Sequence, residues 1–283
     1  MAFSVSFDSL KGKTCAITGG GGVIGQSLCE GMAKAGMNIA ILDVVRDAAE
    51  ALAASLMRTH GINALAAEAN VLEKGSLEHA KQAINDKLGP VHYLINCAGG
   101  NSPKATTKQE YVTRDGAADL SGTFYGLDIE GFRKVFDLNF LGTVLPTMVL
   151  TGDMIRDGGA VLNISSMNAF RPLTKIPAYS AAKASITNFT EWLAVHLAKV
   201  NVRVNGIAPG FLLTNQNRFL MLDEKTGNLT ERGNKVIAGT PMGRFGQPDE
   251  LQGVTLFLLS DLARFITGVV IPVDGGFNAY SGV

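Results

Sequence analysis

Thr14-Cys15-Ala16-Ile17-Thr18, a short β-prone run, passes directly into Gly19-Gly20-Gly21-Gly22-Val23-Ile24-Gly25 and from there into a helical pattern. Glycines at that place let the chain turn tightly and let a phosphate come close to the backbone. The free N–H groups and positive dipole end of the following helix attract the phosphate charge. A glycine run alone would be only a flexible turn; between a buried strand and a helix it points to a dinucleotide pyrophosphate. Thr18, Gly19, Gly21, Gly22, Val23, Ile24 and Gly25 are the first candidate cofactor contacts.

Outward from this stretch, β-rich runs alternate with longer helical patterns. Strands are expected at Thr14–Thr18, Asn38–Leu42, Ala64–Glu68, His92–Asn96, Ala160–Ser165, Arg203–Ala208 and Val269–Val273. Helices are expected at Val23–Ala35, Asp47–His60, Lys74–Lys87, Ile129–Arg156, Ala178–Val200 and Pro248–Leu259. Such alternation forces right-handed crossovers. It predicts an α/β fold: one Rossmann-like, doubly wound parallel sheet of seven strands with helices on both faces, in a single domain spanning 1–283. Two polar segments, 101–125 and 214–240, interrupt the rhythm after strand ends, where open α/β sheets bind ligands. They are expected to be substrate lids.

Composition narrows the function. The 283 residues are 46 % apolar and 18 % charged, which suits a globular core and excludes a disordered polymer. Twenty-five basic residues balance 25 acidic ones, so the electrostatic footprint of a nucleic-acid or anionic-membrane binder is missing. A small polar molecule is the expected partner. Cys15, Cys29 and Cys97 match neither a disulfide scaffold nor a zinc site, and His60, His79, His92 and His196 stand apart from the motifs, so no metal is expected. The N-terminus lacks the layout of a signal peptide, and the most apolar stretch, Phe140–Leu150, is shorter than the ~18 residues of a membrane span. A cytoplasmic location is expected.

Two further patterns carry chemistry. Asp43 ends the second strand 18 residues after Gly25, where an acidic side chain bonds the adenosine ribose 2′-hydroxyl. A 2′-phosphate beside it would meet repulsion on the order of 1 to 4 kcal/mol per charge pair, so NAD is expected in preference to NADP. Tyr179 and Lys183 stand four residues apart on one helix face. A tyrosine ionises near 10, so acting as a base near pH 7 requires roughly 4 kcal/mol of help from charge and hydrogen bonds, and Lys183 offers part of it.

Together these residues resemble the short-chain dehydrogenase/reductase family over essentially the whole chain. The family pattern is matched by Thr18 to Gly25, by Asn96-Cys97-Ala98-Gly99, by Asn139, by Ser166 with Tyr179 thirteen and Lys183 seventeen residues later, and by Pro209-Gly210 with Thr214. Val23 replaces the middle glycine of the phosphate loop, Cys97 the second Asn of NNAG, and Asn70, before Val71, the usual Asp. The resemblance implies that Tyr179 takes the hydroxyl proton, Ser166 orients the substrate oxygen, and Lys183 holds the ribose and lowers the Tyr179 pKa. It implies that Asn139 holds a water leading from Lys183 to solvent. Asn70, Val71, Asn96, Ala98 and Gly99 would contact the cofactor. Thr214 and the backbone after Pro209-Gly210, Leu212 included, would orient the carboxamide.

Within the family, Tyr125 to Phe136, the insertion before it, Asn217 to Leu220 and Asp223 to Gly227 resemble the D-mannonate oxidoreductase (fructuronate reductase) branch. The expected site rim is polar: Asn101, Lys104, Asn168, Arg171, Lys175, Asn215, Gln216, Asn217 and Arg218. Amides and a guanidinium suit a polyol chain ending in a carboxylate, with Asn101, Asn168, Arg171 and Arg218 as the substrate candidates. Another dehydrogenase of the family, such as a gluconate 5-dehydrogenase or a 3-oxoacyl reductase, is the alternative. A non-catalytic NAD-binding regulator is remote, because Tyr179 and Lys183 are both retained. Family resemblance further implies a homo-oligomer, a tetramer or a dimer.

Overall fold

Every residue of strand β1 (Thr14–Thr18) is buried, as a strand covered by helices on both faces must be. A computed structural model of the chain describes residues 5–214 and 217–282. The chain continues through α1 (Val23–Lys34), β2 (Asn38–Asp43), α2 (Arg46–His60), β3 (Ala64–Glu68), α3 (Lys74–Leu88) and β4 (Tyr93–Asn96). It then forms α4 (Ile129–Asn139), α5 (Leu141–Leu150), α6 (Met154–Asp157), β5 (Gly159–Ile164), α7 (Pro177–Leu197) and β6 (Val202–Pro209). Last come α8 (Arg218–Met221), α9 (Glu231–Ala238), α10 (Gln252–Leu259) and β7 (Val270–Val273). The seven strands are parallel, in the order β3-β2-β1-β4-β5-β6-β7.

The two-residue repeat of a strand divides the core in two. Ile39 and Ile41 of β2 turn to one face and pack with Leu28, Met32, Leu56 and Leu256 from α1, α2 and α10. Ala40 and Leu42 turn to the other and pack with Leu77, Ile84, Leu150 and Leu193 from α3, α5 and α7. Connections leave β1 toward β2 and leave β4 toward β5, so a crevice opens at the C-terminal ends of β1 and β4, the switch point of a doubly wound sheet.

The single helix expected over Ile129–Arg156 is instead three, with α4 ending at Asn139 and α5 at Leu150. Pro146 lies inside α5, which runs through it, and the breaks fall at Phe140 and over Thr151–Asp153. The hydroxyls of Thr143, Thr147 and Thr151 each donate to the carbonyl four residues back, a habit that bends helices. By length and composition alone the run Ile129–Asp157 could cross a membrane, a longer span than the Phe140–Leu150 stretch read from sequence. Half of its most apolar window is buried in the protein, where α4 lies on α7 and α5 on α3 and β4.

The described residues of both insertions carry structure of their own. In the first, Ala105 is buried with Val135 and Ala178, and Thr107 N–H donates to the Lys175 carbonyl at 2.9 Å. The second carries α8 and α9, the latter capped by Thr230, whose hydroxyl accepts from Gly233 N–H at 3.0 Å. Glu110 and Lys235, one from each insertion, form an ion pair at 3.3 Å. Asn215 and Gln216 lie outside the described residues.

A buried polar ladder crosses the sheet. Asn96 Nδ2 donates to Thr147 Oγ1 and to Asn163 Oδ1, both at 2.9 Å, and Asn163 Nδ2 donates to Thr190 Oγ1 at 2.9 Å. Helices α5 and α7 are thereby tied to β4 and β5 through side chains that have no access to water. Asn163→Ala takes away one of the two acceptors of Asn96 Nδ2 and the donor to Thr190 Oγ1, while the bonds to Thr147 and to the Ile186 carbonyl remain, and should lower unfolding free energy by about 1–3 kcal/mol. Denaturant unfolding measures this, and a loss below about 0.5 kcal/mol would contradict the account.

Candidate active site

The crevice is set by a close approach of two turns. Gly19 has φ +62°, and a Cβ there would stand 2.8 Å from Ala98 Cα. Thr18 Oγ1 accepts from the Cys97 and Ala98 N–H groups at 3.1 and 3.2 Å. A side chain on Gly25 would collide with the Gly19 carbonyl, so α1 starts hard against the turn. Its N-terminus carries no side-chain cap, which leaves the first N–H groups of the helix available to an anion. Val23 is the first helical residue and stands at the place of the family's middle glycine without obstructing the turn.

The resulting cavity holds about 590 Å³ and is lined by Gly19, Gly22, Val23, Ile24, Gly25, Asp43, Asn70, Val71, Ala98, Gly99, Ser166, Tyr179, Lys183, Pro209, Gly210, Leu212 and Thr214, all anticipated from sequence. The Asp43 carboxylate accepts from Gly21 N–H at 2.9 Å and from Val45 N–H at 3.0 Å, which fixes its direction at the cavity wall. Arg46, two residues beyond Val44, is turned away to pair with Glu50 at 2.7 Å.

Several anticipated residues do not line the cavity. Thr18 and Asn96 are buried beneath it, the first bonding the β4 turn and the second the polar ladder. Gly21 shapes the wall through Asp43. Asn139 is fully buried; Nδ2 donates to the Gly100 and Val135 carbonyls at 2.7 and 2.8 Å, and Oδ1 accepts from Gly100 N–H at 3.3 Å. It fixes the backbone beside Gly99. Asn101 is exposed and bonds Thr106, Arg171 is exposed and donates to the Asn278 carbonyl at 3.3 Å, and Arg218 is exposed at the start of α8. None of these three lines the cavity, and neither does Asn168, the fourth substrate candidate, which is buried on the turn after Ser166.

Sequence reading missed Val44, Ala69, Gly100, Leu138, Ile164, Ser165 and Phe211 on the wall. Asn217, assigned only to the rim, lines it too; its amide bonds Thr214 N–H and the Leu212 carbonyl, both at 2.8 Å. The signal for Asn217 was an Asn three residues past Thr214, placed to close a turn.

Pro177 at the first turn of α7 and the helix spacing bring Tyr179 and Lys183 to one side, with Lys183 Nζ 5.6 Å from the Tyr179 ring centre. Lys183 is only 4 % exposed and donates to the Ile164 carbonyl at 2.8 Å. Burial pushes its ammonium down to about 8. Burial also raises the Tyr179 phenol above its ordinary value, a hydrogen bond with Ser166 lowers it, and Cys97 raises it. Ser166 Oγ accepts from Asn168 N–H at 3.2 Å, while neighbouring Ser165 donates to the Lys183 carbonyl and so holds α7. A phenol, a hydroxyl and an ammonium gathered at one wall can pass a proton to or from an alcohol oxygen.

Comparison with known proteins agrees with this geometry. Residues 21–278 match the family model described as Enoyl-(Acyl carrier protein) reductase, and the chain belongs to the short-chain dehydrogenase/reductase family of oxidoreductases. An uncharacterized oxidoreductase of Haemophilus influenzae is 49 % identical over 277 residues, 97 % of this chain and 96 % of the relative. The 5-keto-D-gluconate 5-reductase of Escherichia coli K12 is 33 % identical, covering 95 % of this chain and 96 % of its own. A crystal structure with bound NAD, of a Haemophilus influenza protein provisionally designated D-mannonate oxidoreductase, superposes with a TM-score of 0.91 at 48 % identity, covering 97 % of this chain and 98 % of that one.

The buried ammonium gives a pH signature. Its value is near 8 in the folded chain and 10.5 otherwise, so between these values the unfolded chain binds the additional proton and stability rises with pH. The rise should reach about 3 kcal/mol at most. Denaturant unfolding from pH 7.5 to 10.5 should show this slope in the parent relative to Lys183→Met; equal slopes would place Lys183 in a wetter setting.

Proposed function

We propose that the chain is an NAD-dependent oxidoreductase acting between the secondary alcohol and ketone forms of a sugar acid, D-mannonate and D-fructuronate being the leading pair. The observation that carries it is that one cavity joins Asp43 and the uncapped α1 N-terminus on one side of the β1–β4 crevice to Ser166, Tyr179 and Lys183 on the other. The close approach at Gly19 and Gly25 leaves the room a pyrophosphate needs, so these residues fit a dinucleotide.

Gly22 to Gly25 would hold the pyrophosphate, Asp43 the adenosine ribose, and Thr214 with the backbone from Gly210 to Leu212 the carboxamide. When bound, the nicotinamide supplies the hydride chemistry. The chain moves the proton. Ser166 orients the substrate oxygen, Tyr179 takes the hydroxyl proton in oxidation and returns it in reduction, and Lys183 favours the ionised phenol by its charge. Asn139, through Gly100, keeps the turn beside Lys183 in place.

Asp43 and the engagement of Arg46 by Glu50 support NAD over NADP. The sugar-acid reading is supported by the Haemophilus protein and by the 5-keto-D-gluconate reductase. Arg171 donates to the Asn278 carbonyl and Arg218 lies outside the wall, so neither guanidinium supports the carboxylate part of this reading. We further propose a cytoplasmic homo-oligomer, supported by the free Cys15, Cys29 and Cys97 and by the exposed apolar Met148, Trp192 and Val195 on α5 and α7.

Tyr179→Phe keeps the ring and deletes the proton acceptor, so turnover should fall by about 10²- to 10⁴-fold with cofactor affinity nearly intact. Retention within tenfold would remove Tyr179 from its role. Asp43→Ala should shrink the ratio of kcat/KM with NAD to that with NADP, and a parent that already favours NADP would refute the reading of β2. Oxidation rates across aldonates and neutral polyols decide the substrate: equal rates on both classes would rule out sugar-acid selectivity.

A further inference from the structure

None of the described residues 101–125 lines the cavity. The base of this first insertion is seated instead on α4 and α7. Ser102 caps a short turn, Pro103–Ala105, and Ala105 is fully buried with Val135 of α4 and Ala178 of α7. Phe132 and Tyr179 pack against the same small cluster. The Lys104 carbonyl accepts from the N–H of Asp128, the N-cap of α4, at 3.3 Å, and Thr107 N–H donates to the Lys175 carbonyl just ahead of α7 at 2.9 Å. The seat on α4 is tight, since a Cβ on Gly131 would stand 2.6 Å from Lys104 Cβ.

Tyr179 has particular need of such a support. It lies in the first turn of α7, and the N-cap residue Ile176 makes no side-chain bond to that turn. First turns, with N–H groups that have no partner in the helix, fray most readily. The side-chain bonds that tie α7 to the sheet begin one turn later, at Lys183, and continue through Thr187 and Thr190. At the turn that carries the phenol, the holding contacts are the Ala105 cluster and the Lys175 carbonyl. A misplacement of about 1 Å at a reacting group can cost on the order of 10²-fold in rate. We propose that the base of the first insertion, residues 102–107, is a positioning element that holds Tyr179 in line with the substrate oxygen, with Ala105 as the contact residue, rather than a flap over the substrate. This rests on the reading of Tyr179 as the proton-handling group.

The test is Gly131→Ala, which puts a methyl group where the Lys104 turn sits while favouring the helix that carries it. With NAD and the best aldonate or polyol of the panel above, kcat should fall by about 10- to 100-fold, and KM for both should stay within about threefold. Adding Lys104→Gly removes the atom that the new methyl meets first, so the double variant should recover kcat to within about threefold of the parent. A flap gives the opposite split, a raised substrate KM with kcat kept, and that result overturns the proposal. So does an unchanged kcat, or a loss that Lys104→Gly does not recover. If Gly131→Ala does not fold, Ala105→Val, which overfills the same cluster, is judged by the same split of kcat from KM. Failure of the underlying reading is seen separately: turnover retained in Tyr179→Phe removes the proton role itself, whereas an inactive Tyr179→Phe beside an unimpaired Gly131→Ala removes the positioning alone.

Discussion

Gly19 and Ala98 bring two backbone turns closer together than any side chain would allow, and the Thr18 hydroxyl locks them by accepting two N–H groups from the opposite turn. Everything at the crevice follows from that contact. It sets where α1 begins, and therefore where uncapped N–H groups point. It also sets the height of Gly99 and Gly100, against which Asn139 closes from α4. A side chain in that gap would push β1 and β4 apart at the one place where the sheet changes its direction of winding.

From that contact outward, the site is built on rigid elements whose own contacts are polar and buried. The Asn96–Asn163 ladder holds α5 and α7 to the strands beneath them, so Tyr179 and Lys183 are presented by a helix that is anchored along its length. Desolvation acts on both groups and in opposite senses, raising the phenol and lowering the ammonium. A protein that buries this pair spends stability to place proton chemistry away from water.

The fold was legible because its signals are local and redundant: the glycine turn after β1, the acid at the end of β2, and strand runs buried on both faces. Strand ends shifted by one residue at most, as at β5, where Gly159 joins and Ser165 leaves. The helix over Ile129–Arg156 was misread because the hydrophobic period does not register hydroxyls bonding back to the backbone. Helix α9 was hidden in a polar insertion, although Thr230 followed by Glu231 is a helix-start signal. Most residues given by a fixed spacing line the cavity, with Thr18, Asn96 and Asn139 lying beneath it, whereas Asn101, Asn168, Arg171 and Arg218 were chosen by polarity alone and none lines it. Polarity says nothing about direction, and Arg171 points to Asn278 rather than to the cavity.

The lock between Thr18 and Ala98 spans 80 positions of chain. As the chain leaves the ribosome, that loop can close once β4 and its turn are out, before β5 and α7 exist. Loop closure of this length carries a modest entropic penalty that grows only slowly with length, and β1, β2, β3 and β4 already form a contiguous block of the sheet. The nucleotide-facing half of the crevice thus has its four strands once β4 is out, but the face carrying Ile39 and Ile41 is covered only when Leu256 of α10, near the end of the chain, packs onto it.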